Sequence, residues 1–302
     1  MRTVLSNLIS ESAKNDENFL LLTGDHGYAL FDEIRKTSPE KFVNVGIMEQ
    51  ALISTAAGLS KVGYKPLCYG LASFVPIRVL EQIKFDLCLS NNPVKIIGDG
   101  AGLIYTNLGN SHYCGEDMSV LSPLEGIEIY SPGDPEEMRI CYKEFISSDV
   151  PAYLRVGKCD NPKFNEVPLT STKPYFTNKT NSNEICLVST GAMLGIANQF
   201  SKEFNVSHLS IMKIKTIDKE ALDHLKSFKH IIFFEEHVRK GGLTSAVTDL
   251  FIDSNTTLPK VTSYSLKNSF VSKAGSHQYA LSEHGLATDQ LRIKLKCIID
   301  AK

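Results

Sequence analysis

Glu49 is the residue whose type and position most directly suggest chemistry. It follows the apolar segment "FVNV" (42–45) and Gly46, and it opens a run of small and apolar residues that predicts a helix over 49–60. A carboxyl group at such a junction projects from the carboxyl edge of a parallel sheet, where α/β folds bind ligands. Burial would favour its neutral form, whereas the amino end of the helix favours the charged form. Glu49 is therefore either a buried proton donor or an acid that only stabilises the first helical turn.

Three further side chains are of types that could bind a ligand or take part in catalysis. Phe74, in "ASFVPIR", offers a flat apolar face that excludes water, although a lone Phe after a strand is usually a core residue. His112, in "GNSHYCGED", could donate a hydrogen bond to an oxygen that gains charge, or it is a solvated loop residue. Arg155, in "PAYLRVGK", suits a phosphate or carboxylate but would equally suit a structural ion pair.

The elements that must position these residues alternate along the chain. Apolar strand candidates lie at 19–23, 42–45, 65–70, 94–98, 127–131 and 152–156, with helices near 49–60, 77–90 and 134–147. This alternation predicts βαβ units around a mostly parallel sheet flanked by helices, which is an α/β fold.

A second α/β unit is expected after a linker. The stretch between Lys158 and Asn183 is rich in Asn, Thr, Lys and Pro and has no periodicity. Strand and helix patterns resume at "EICLVSTG" (184–191) and continue through "GGLTSAVTDLF" and "KVTSYSL". We therefore expect one domain over 1–160, a linker over 161–183 and a second domain, also with a mostly parallel sheet, over 184–302.

Composition excludes several classes of protein. The 302 residues are 42% hydrophobic and 22% charged, as in an ordinary globular protein long enough for two cores. A net charge of −2 gives no general attraction to nucleic acid or to an anionic membrane surface. The seven cysteines lack CxxC spacing, and the amino-terminal segment reads as an amphipathic helix instead of a signal peptide or membrane span. These features predict a cytoplasmic protein with reduced thiols.

Several motifs in order along the chain resemble the transketolase family. "VGIMEQALISTAAGLSKVGYKP", "GLASFVPIRVLEQI" and "GAGLIYTNLGNSHYCGED" are similar to its pyrimidine-binding domain, and "FFEEHVRKGGLTSAV" to its carboxyl-terminal domain. The resemblance covers nearly the whole chain and is greatest to the split type, in which the two halves are separate polypeptides. It implies a thiamine-diphosphate enzyme that transfers a two-carbon ketol unit between sugars.

The resemblance also assigns roles to residues. Glu49 would hydrogen-bond the aminopyrimidine of thiamine diphosphate and favour the imino tautomer that activates the cofactor, and Phe74 would stack on that ring. The side chains assigned to the cofactor are Glu49, Phe74, Asp25, Leu71, Ile77 and Arg78. Those assigned to the sugar substrate are His112 and Arg155, with Glu49 and His112 as the catalytic pair. His26, to which the resemblance gives no role, is predicted as a further substrate contact.

Some positions depart from the family pattern. Gly100 and Leu108 stand where members that act on sugar phosphates carry a histidine and an aspartate, and Leu71 and Ile77 stand where many carry aromatic residues. Contacts to a phosphorylated sugar are therefore missing. These departures predict an unusual ketose donor or acceptor, in specialised sugar biosynthesis.

No diphosphate-binding domain is found in the sequence. The family holds the diphosphate through Mg²⁺ with a "GDG" turn and a later asparagine. Gly98-Asp99-Gly100 is present, but it lies inside the segment that resembles the substrate loop, and "PLEGIEIYSP" (123–132) offers no asparagine. The resemblance thus implies a separate amino-terminal subunit that holds Mg²⁺, inactivity of this chain alone, and an α2β2 heterotetramer.

Three alternatives are weighed against this interpretation. The β subunit of a 2-oxo acid dehydrogenase has the same two-domain architecture, but the histidine loop and "ASFVPIRVLEQI" favour transketolase. A 1-deoxyxylulose-phosphate synthase would carry its diphosphate domain in the same chain. A non-catalytic scaffold would have little reason to retain the four candidate residues Glu49, Phe74, His112 and Arg155 together.

Overall fold

Six parallel strands form the sheet of the N-terminal half (residues 1–157). In the computed structural model, which describes residues 1–157, 161–164 and 168–301, they lie in the order β2-β1-β3-β4-β6-β5. Their bounds are β1 Phe19–Thr23, β2 Phe42–Asn44, β3 Lys65–Leu71, β4 Lys95–Asp99, β5 Glu128–Tyr130 and β6 Ala152–Val156. β1, β4 and β6 are buried along their whole length, as expected for a parallel sheet covered on both faces.

Helices connect these strands. They are α1 Arg2–Asn15, α2 Asp32–Thr37, α3 Glu49–Lys61, α4 Leu80–Gln82, α5 Asp117–Leu121 and α6 Pro135–Ser147. α3 packs Leu52, Ile53 and Ala56 into the core against the β1 and β3 strands. α6 is capped by Asp134, whose carboxylate accepts hydrogen bonds from the Glu136 and Glu137 amides.

The C-terminal half (residues 161–301) contains a five-stranded sheet in the order β11-β10-β8-β9-β7. Its strands are β7 Tyr175–Asn178, β8 Ile185–Ser189, β9 Ser207–Ser210, β10 His230–Val238 and β11 Lys260–Leu266, of which only β7 runs antiparallel to its neighbour among the described residues. The helices are α7 Leu194–Glu203, α8 Glu220–Leu225, α9 Leu243–Asp253, α10 His277–His284 and α11 Thr288–Asp300. The α/β class with a mostly parallel sheet in each half is thus confirmed.

Two expectations about elements are wrong in part. The helix expected over 77–90 begins at Leu80, and its residues Ile83–Leu89 form a π-helix, which hydrophobic periodicity over two turns does not distinguish from an α-helix. The expected linker 161–183 contains β7, a short edge strand whose half-buried residues leave no apolar run in the sequence. Residues 158–160 and 165–167 of this region lie outside the described residues. The division into two domains stays a prediction.

The two halves share a core. One cluster of buried residues joins Met118, Leu121 and Ile129 of the N-terminal half to Leu209 and Leu243 of the C-terminal half. A short antiparallel bridge pairs Tyr130 with Lys213 across the same boundary. Because burial of apolar surface drives this packing, the halves stabilise each other. No helix of the described residues has the length and hydrophobicity needed to cross a membrane.

Candidate active site

Apart from Arg155 on β6, the candidate residues lie at the carboxyl ends of β1 to β4 or on the segments that follow them. Chain order and strand order reverse between β1 and β3, because β2 lies on one side of β1 and β3 on the other. Such a reversal opens a crevice at the carboxyl edge of a parallel sheet. The segments after β1, β2 and β3 carry Asp25 and His26, Glu49, and Phe74 to Arg78, respectively. Secondary structure alone therefore brings them to one edge.

Glu49 is buried at the start of α3. Gly46 has a φ of 77°, which is favourable only for glycine and turns the chain from β2 towards the helix. The Glu49 side chain is 2% exposed, and its Oε2 accepts a hydrogen bond of 2.7 Å from Nη1 of Arg78. Its other oxygen, Oε1, is buried and has no hydrogen-bond partner among the described residues. A buried carboxyl oxygen without a partner carries a free-energy cost that a ligand donor would remove.

Phe74 is the centre of a group of rings and cations. The Arg78 guanidinium carbon lies 4.3 Å from the Phe74 ring centroid, so one cation contacts both the ring and the buried acid. The His112 ring lies edge-on at 5.4 Å, and the His26 ring lies at 6.4 Å. The structure therefore brings together three sequence-predicted residues, from three separate loops, around Phe74, and Arg78 joins Glu49 to this group.

Asp25 and His26 form a tight turn after β1. Asp25 has a φ of 65°, and its Oδ1 accepts hydrogen bonds from Asn44 Nδ2 at 3.1 Å and from the Tyr28 hydroxyl at 2.9 Å. The hydrogen bond from Asn44, followed by that from Tyr28, lowers the pKa of the Asp25 carboxyl. His26 Nε2 is buried and unpartnered within the described part of the chain. Neither Asn44 nor Tyr28 had a sequence signal that marked it for this role.

Several apolar side chains lie near the site residues in the sequence. Leu71 is the last residue of β3 and is half-buried, and Ile77 is exposed to 38%. Beside Glu49 in sequence, Ile47 is 70% exposed and Met48 is 58% exposed. Large exposed apolar side chains that are adjacent in the chain, as Ile47 and Met48 are, are typical of a surface that another molecule covers.

Arg155 lies away from this group. Its guanidinium is 2% exposed and pairs with the fully buried Asp117, with Nε at 3.0 and 2.9 Å from the two carboxylate oxygens. Its Nη2 donates to the backbone oxygen of Glu236 at 2.7 Å. These contacts favour the ion-pair alternative for Arg155 over contact with a sugar. Asp117 also accepts a hydrogen bond from the Tyr153 hydroxyl at 2.9 Å.

The Glu235-Glu236-His237 triplet is buried and contacts the same ion pair, because Arg155 bonds the Glu236 carbonyl and His237 Nε2 lies 3.7 Å from an Asp117 oxygen. Glu235 Oε2 accepts from the Leu243 amide at 2.7 Å, and its Oε1 accepts from the Thr244 amide at 3.2 Å. The carboxylate thus occupies the amino end of α9, and burial raises its pKa to about 7. Burial lowers the pKa of His237 to about 4, so this ring is neutral at pH 7. These side chains support the fold, and none reaches the group around Phe74.

Comparison with known proteins shows which family this chain resembles. The family model for the transketolase pyrimidine binding domain matches residues 1–162. The B subunit of the apulose-4-phosphate transketolase of Phocaeicola vulgatus is 30% identical over 82% of this chain and 82% of its own length. The protein of the same description from Actinobacillus succinogenes is 27% identical over 85% of this chain and 84% of its own length.

Other relatives are longer than this chain. The 1-deoxy-D-xylulose-5-phosphate synthase of Clostridium perfringens strain SM101 is 32% identical over 78% of this chain, which corresponds to 39% of that enzyme. Among solved structures, a split-gene transketolase described as an inactive β4 tetramer superposes with a TM-score of 0.84 at 24% identity, over 99% of this chain and 97% of the other. This likeness supports the same fold throughout both halves.

Proposed function

The chain belongs to the transketolase family as the β subunit of a split transketolase, and from this premise we propose that it supplies half of a thiamine-diphosphate site for ketol transfer. The reaction moves a two-carbon ketol unit from a donor sugar to an acceptor sugar. The observation that carries the proposal is the buried Glu49 carboxyl, held by Arg78 through one oxygen and unpartnered at the other among the described residues.

The residues around Glu49 fit the aminopyrimidine of the cofactor. When bound, thiamine diphosphate supplies the nucleophilic centre that receives the ketol unit. Glu49 Oε1 offers a buried acceptor for a ring nitrogen proton, which satisfies the group that lacks a partner in the described part of the chain. Phe74 offers an apolar face to a planar ring, and Leu71 and Ile77 exclude water beside it. Arg78 keeps the Glu49 carboxylate oriented, and Asp25, held by Asn44 in the turn after β1, is proposed as a further cofactor contact.

The substrate side of the site consists of two imidazoles. His112 stands edge-on to Phe74 at 5.4 Å and is placed to donate a hydrogen bond to a sugar oxygen as charge develops there. His26, whose Nε2 has no partner among the described residues, is proposed as the second contact. Relatives described as subunits of an apulose-4-phosphate transketolase favour a phosphorylated sugar in a specialised pathway. If the substrate is a phosphorylated sugar, its phosphate would be bound by residues other than Gly100 and Leu108.

A second subunit would complete the site. Two descriptions support the need for a separate chain that completes the site: the relatives are described as B subunits, and the solved neighbour is described as an inactive β4 tetramer. We assign to that chain the diphosphate-binding domain and the Mg²⁺ ion, in an α2β2 heterotetramer. The exposed Ile47 and Met48 beside Glu49 would lie at this contact. A cytoplasmic location is proposed because the six cysteines of the described residues are unpaired, as is typical of a reducing compartment.

Reconstitution tests the proposal. The chain is purified alone and together with the amino-terminal transketolase subunit that copurifies from its native cells. We expect no ketol transfer and no retained thiamine diphosphate from the chain alone, and both from the complex. Ketose phosphates and the corresponding free sugars are then compared as donors. A complex that binds the cofactor but oxidatively decarboxylates 2-oxo acids would support the dehydrogenase alternative, and a complex that binds no cofactor would support the scaffold.

A further inference from the structure

The loop that carries His112 is anchored in the C-terminal half. Gly102 and Cys114 pair through two backbone hydrogen bonds of 2.7 and 2.9 Å, which close the residues between them into a compact loop. The Leu103 side chain is fully buried in a cluster whose other buried members all belong to the C-terminal half. Tyr113 packs against the same cluster. The loop therefore belongs to the N-terminal half by sequence and to the C-terminal half by packing.

Asn110 makes a reciprocal contact with one residue of that half. Its Oδ1 accepts a hydrogen bond of 3.0 Å from the Val271 amide, and its Nδ2 donates to the Val271 carbonyl at 3.1 Å. Val271 itself is 3% exposed and is a member of the same buried cluster. Because the oxygen and the nitrogen of the Asn110 amide both bond to the backbone of the buried Val271, the Asn110 side chain is held in one rotamer. This fixed side chain lies two residues before His112.

Further contacts hold the start of the loop. Glu236 Oε1 accepts a hydrogen bond of 2.7 Å from the Leu103 amide and lies 3.0 Å from Nε2 of His277. A Cβ atom at Gly102 would stand 2.3 Å from this oxygen, so the approach requires glycine there. The Gly275 amide also donates to the Thr106 carbonyl at 3.3 Å.

We infer that the C-terminal half positions His112 for the transfer reaction, and that Asn110 is the positioning residue through which it does so. The inference rests on the proposed function, because it takes His112 to contact the sugar. The loop returns to the N-terminal half where the His112 ring contacts the Phe74 ring. Because Asn110 lies two residues before His112, a displacement of Val271 would shift the His112 ring relative to the substrate. Small displacements of a group that contacts the reacting atoms lower rates strongly.

The test compares Asn110→Ala with Asn107→Ala in the reconstituted complex. Asn107 is exposed in the same loop, and its side chain makes no hydrogen bond to the described residues, so it is a matched control. We expect Asn110→Ala to lower kcat/KM about 10-fold, to leave the affinity for thiamine diphosphate unchanged, and to accelerate amide exchange over 108–113. Asn107→Ala should change none of the three.

A double variant separates positioning from a general structural role. If Asn110 acts through His112, Asn110→Ala adds no further loss in kcat/KM once His112→Ala is present. An equal loss in both backgrounds, or no loss in either, would overturn the inference while leaving the proposed function intact. An inactive wild-type complex would refute the proposed function and with it the kinetic role of Asn110. The exchange measurement would still establish whether Asn110 holds the loop.

Discussion

Glu49 combines two features that are costly unless they serve a ligand. The carboxyl is buried, and only one of its oxygens has a hydrogen-bond partner among the described residues. Arg78, whose side chain is 45% exposed, supplies that partner and spans from the acid to the Phe74 ring. Proteins tend to leave such groups unsatisfied where function requires it. The catalytic role of Glu49 remains a prediction that one substitution can test.

The Glu49→Gln substitution should abolish turnover without preventing assembly. An amide of the same shape keeps an oxygen for Arg78 but places an NH2 group where Oε1 would accept the ring-nitrogen proton, so we expect kcat of the complex to fall about 10²- to 10⁴-fold. Initial rates at saturating cofactor give kcat, and sedimentation gives the mass of the complex.

Glu81→Gln is the matched control for this substitution. Glu81 is an exposed glutamate in α4 and should tolerate the same change with unaltered kcat. A Glu49→Gln complex with wild-type kcat would remove Glu49 from the catalytic assignment.

At the scale of elements, a buried histidine connects three strands of the second sheet. His208 of β9 hydrogen-bonds the Thr177 hydroxyl of β7 and the Ser189 hydroxyl of β8, the latter at 2.8 Å. Burial lowers the pKa of His208 to about 3. The edge strand β7, where the sequence indicated a linker, is thus fixed to the sheet by side chains as well as by backbone pairing.

This histidine should make stability depend on pH. The unfolded chain binds a proton at His208 near pH 6.5, whereas the folded chain excludes it until about pH 3, so the free energy of unfolding decreases as pH falls below 6.5. His208→Gln removes the effect. Its destabilisation should therefore be about 2 kcal/mol smaller at pH 5 than at pH 7, as measured by urea unfolding.

The same variant provides its own control. Between pH 7 and pH 8 the folded state binds no proton at residue 208 and the unfolded state loses only its last fraction of one, so the cost of His208→Gln should change there by less than about 0.2 kcal/mol. An equal cost at pH 5 and pH 7 would contradict a buried, neutral His208.

At the scale of the molecule, the Arg155–Asp117 pair connects the two halves. Arg155 on β6 and Asp117 on α5 belong to the N-terminal half, and the Glu236 carbonyl on β10 belongs to the C-terminal half. Both ionic side chains are almost wholly buried. Loss of one member would leave the other charge uncompensated away from water.

Arg155→Met should therefore destabilise the chain by about 3–5 kcal/mol in urea unfolding. Arg139→Met removes an exposed arginine from α6 and should cost less than about 1 kcal/mol. The double variant Arg155→Met/Asp117→Leu should recover part of the loss, because no unpaired charge remains. If Arg155→Met matched the Arg139 control in stability while the complex lost affinity for its sugar, the substrate role implied by the family resemblance would stand.

Much of the first sheet and its site could be predicted from the sequence. Short apolar runs separated by amphipathic stretches specify a parallel sheet, and the carboxyl ends of its strands must share an edge. Asp25, His26, Glu49 and Phe74 all follow such strands, so their proximity was implied by their spacing. The family was evident for the same reason, since its motifs are local and keep their order.

The tertiary structure alone decided which groups pair across long distances in the chain. The Arg155–Asp117 pair, the contact of Asn110 with Val271 and the strand β7 depend on packing between segments whose separation leaves no periodic signal. Whether a side chain is buried likewise depends on which other segments cover it. The sequence therefore left Arg155 either as a contact for the substrate or as a member of a structural ion pair, and only the fold favours the ion pair. Local patterns determine elements and edges, because they act through backbone geometry and hydrophobic periodicity. Partners of buried polar groups are determined by the requirement that each be satisfied in three dimensions.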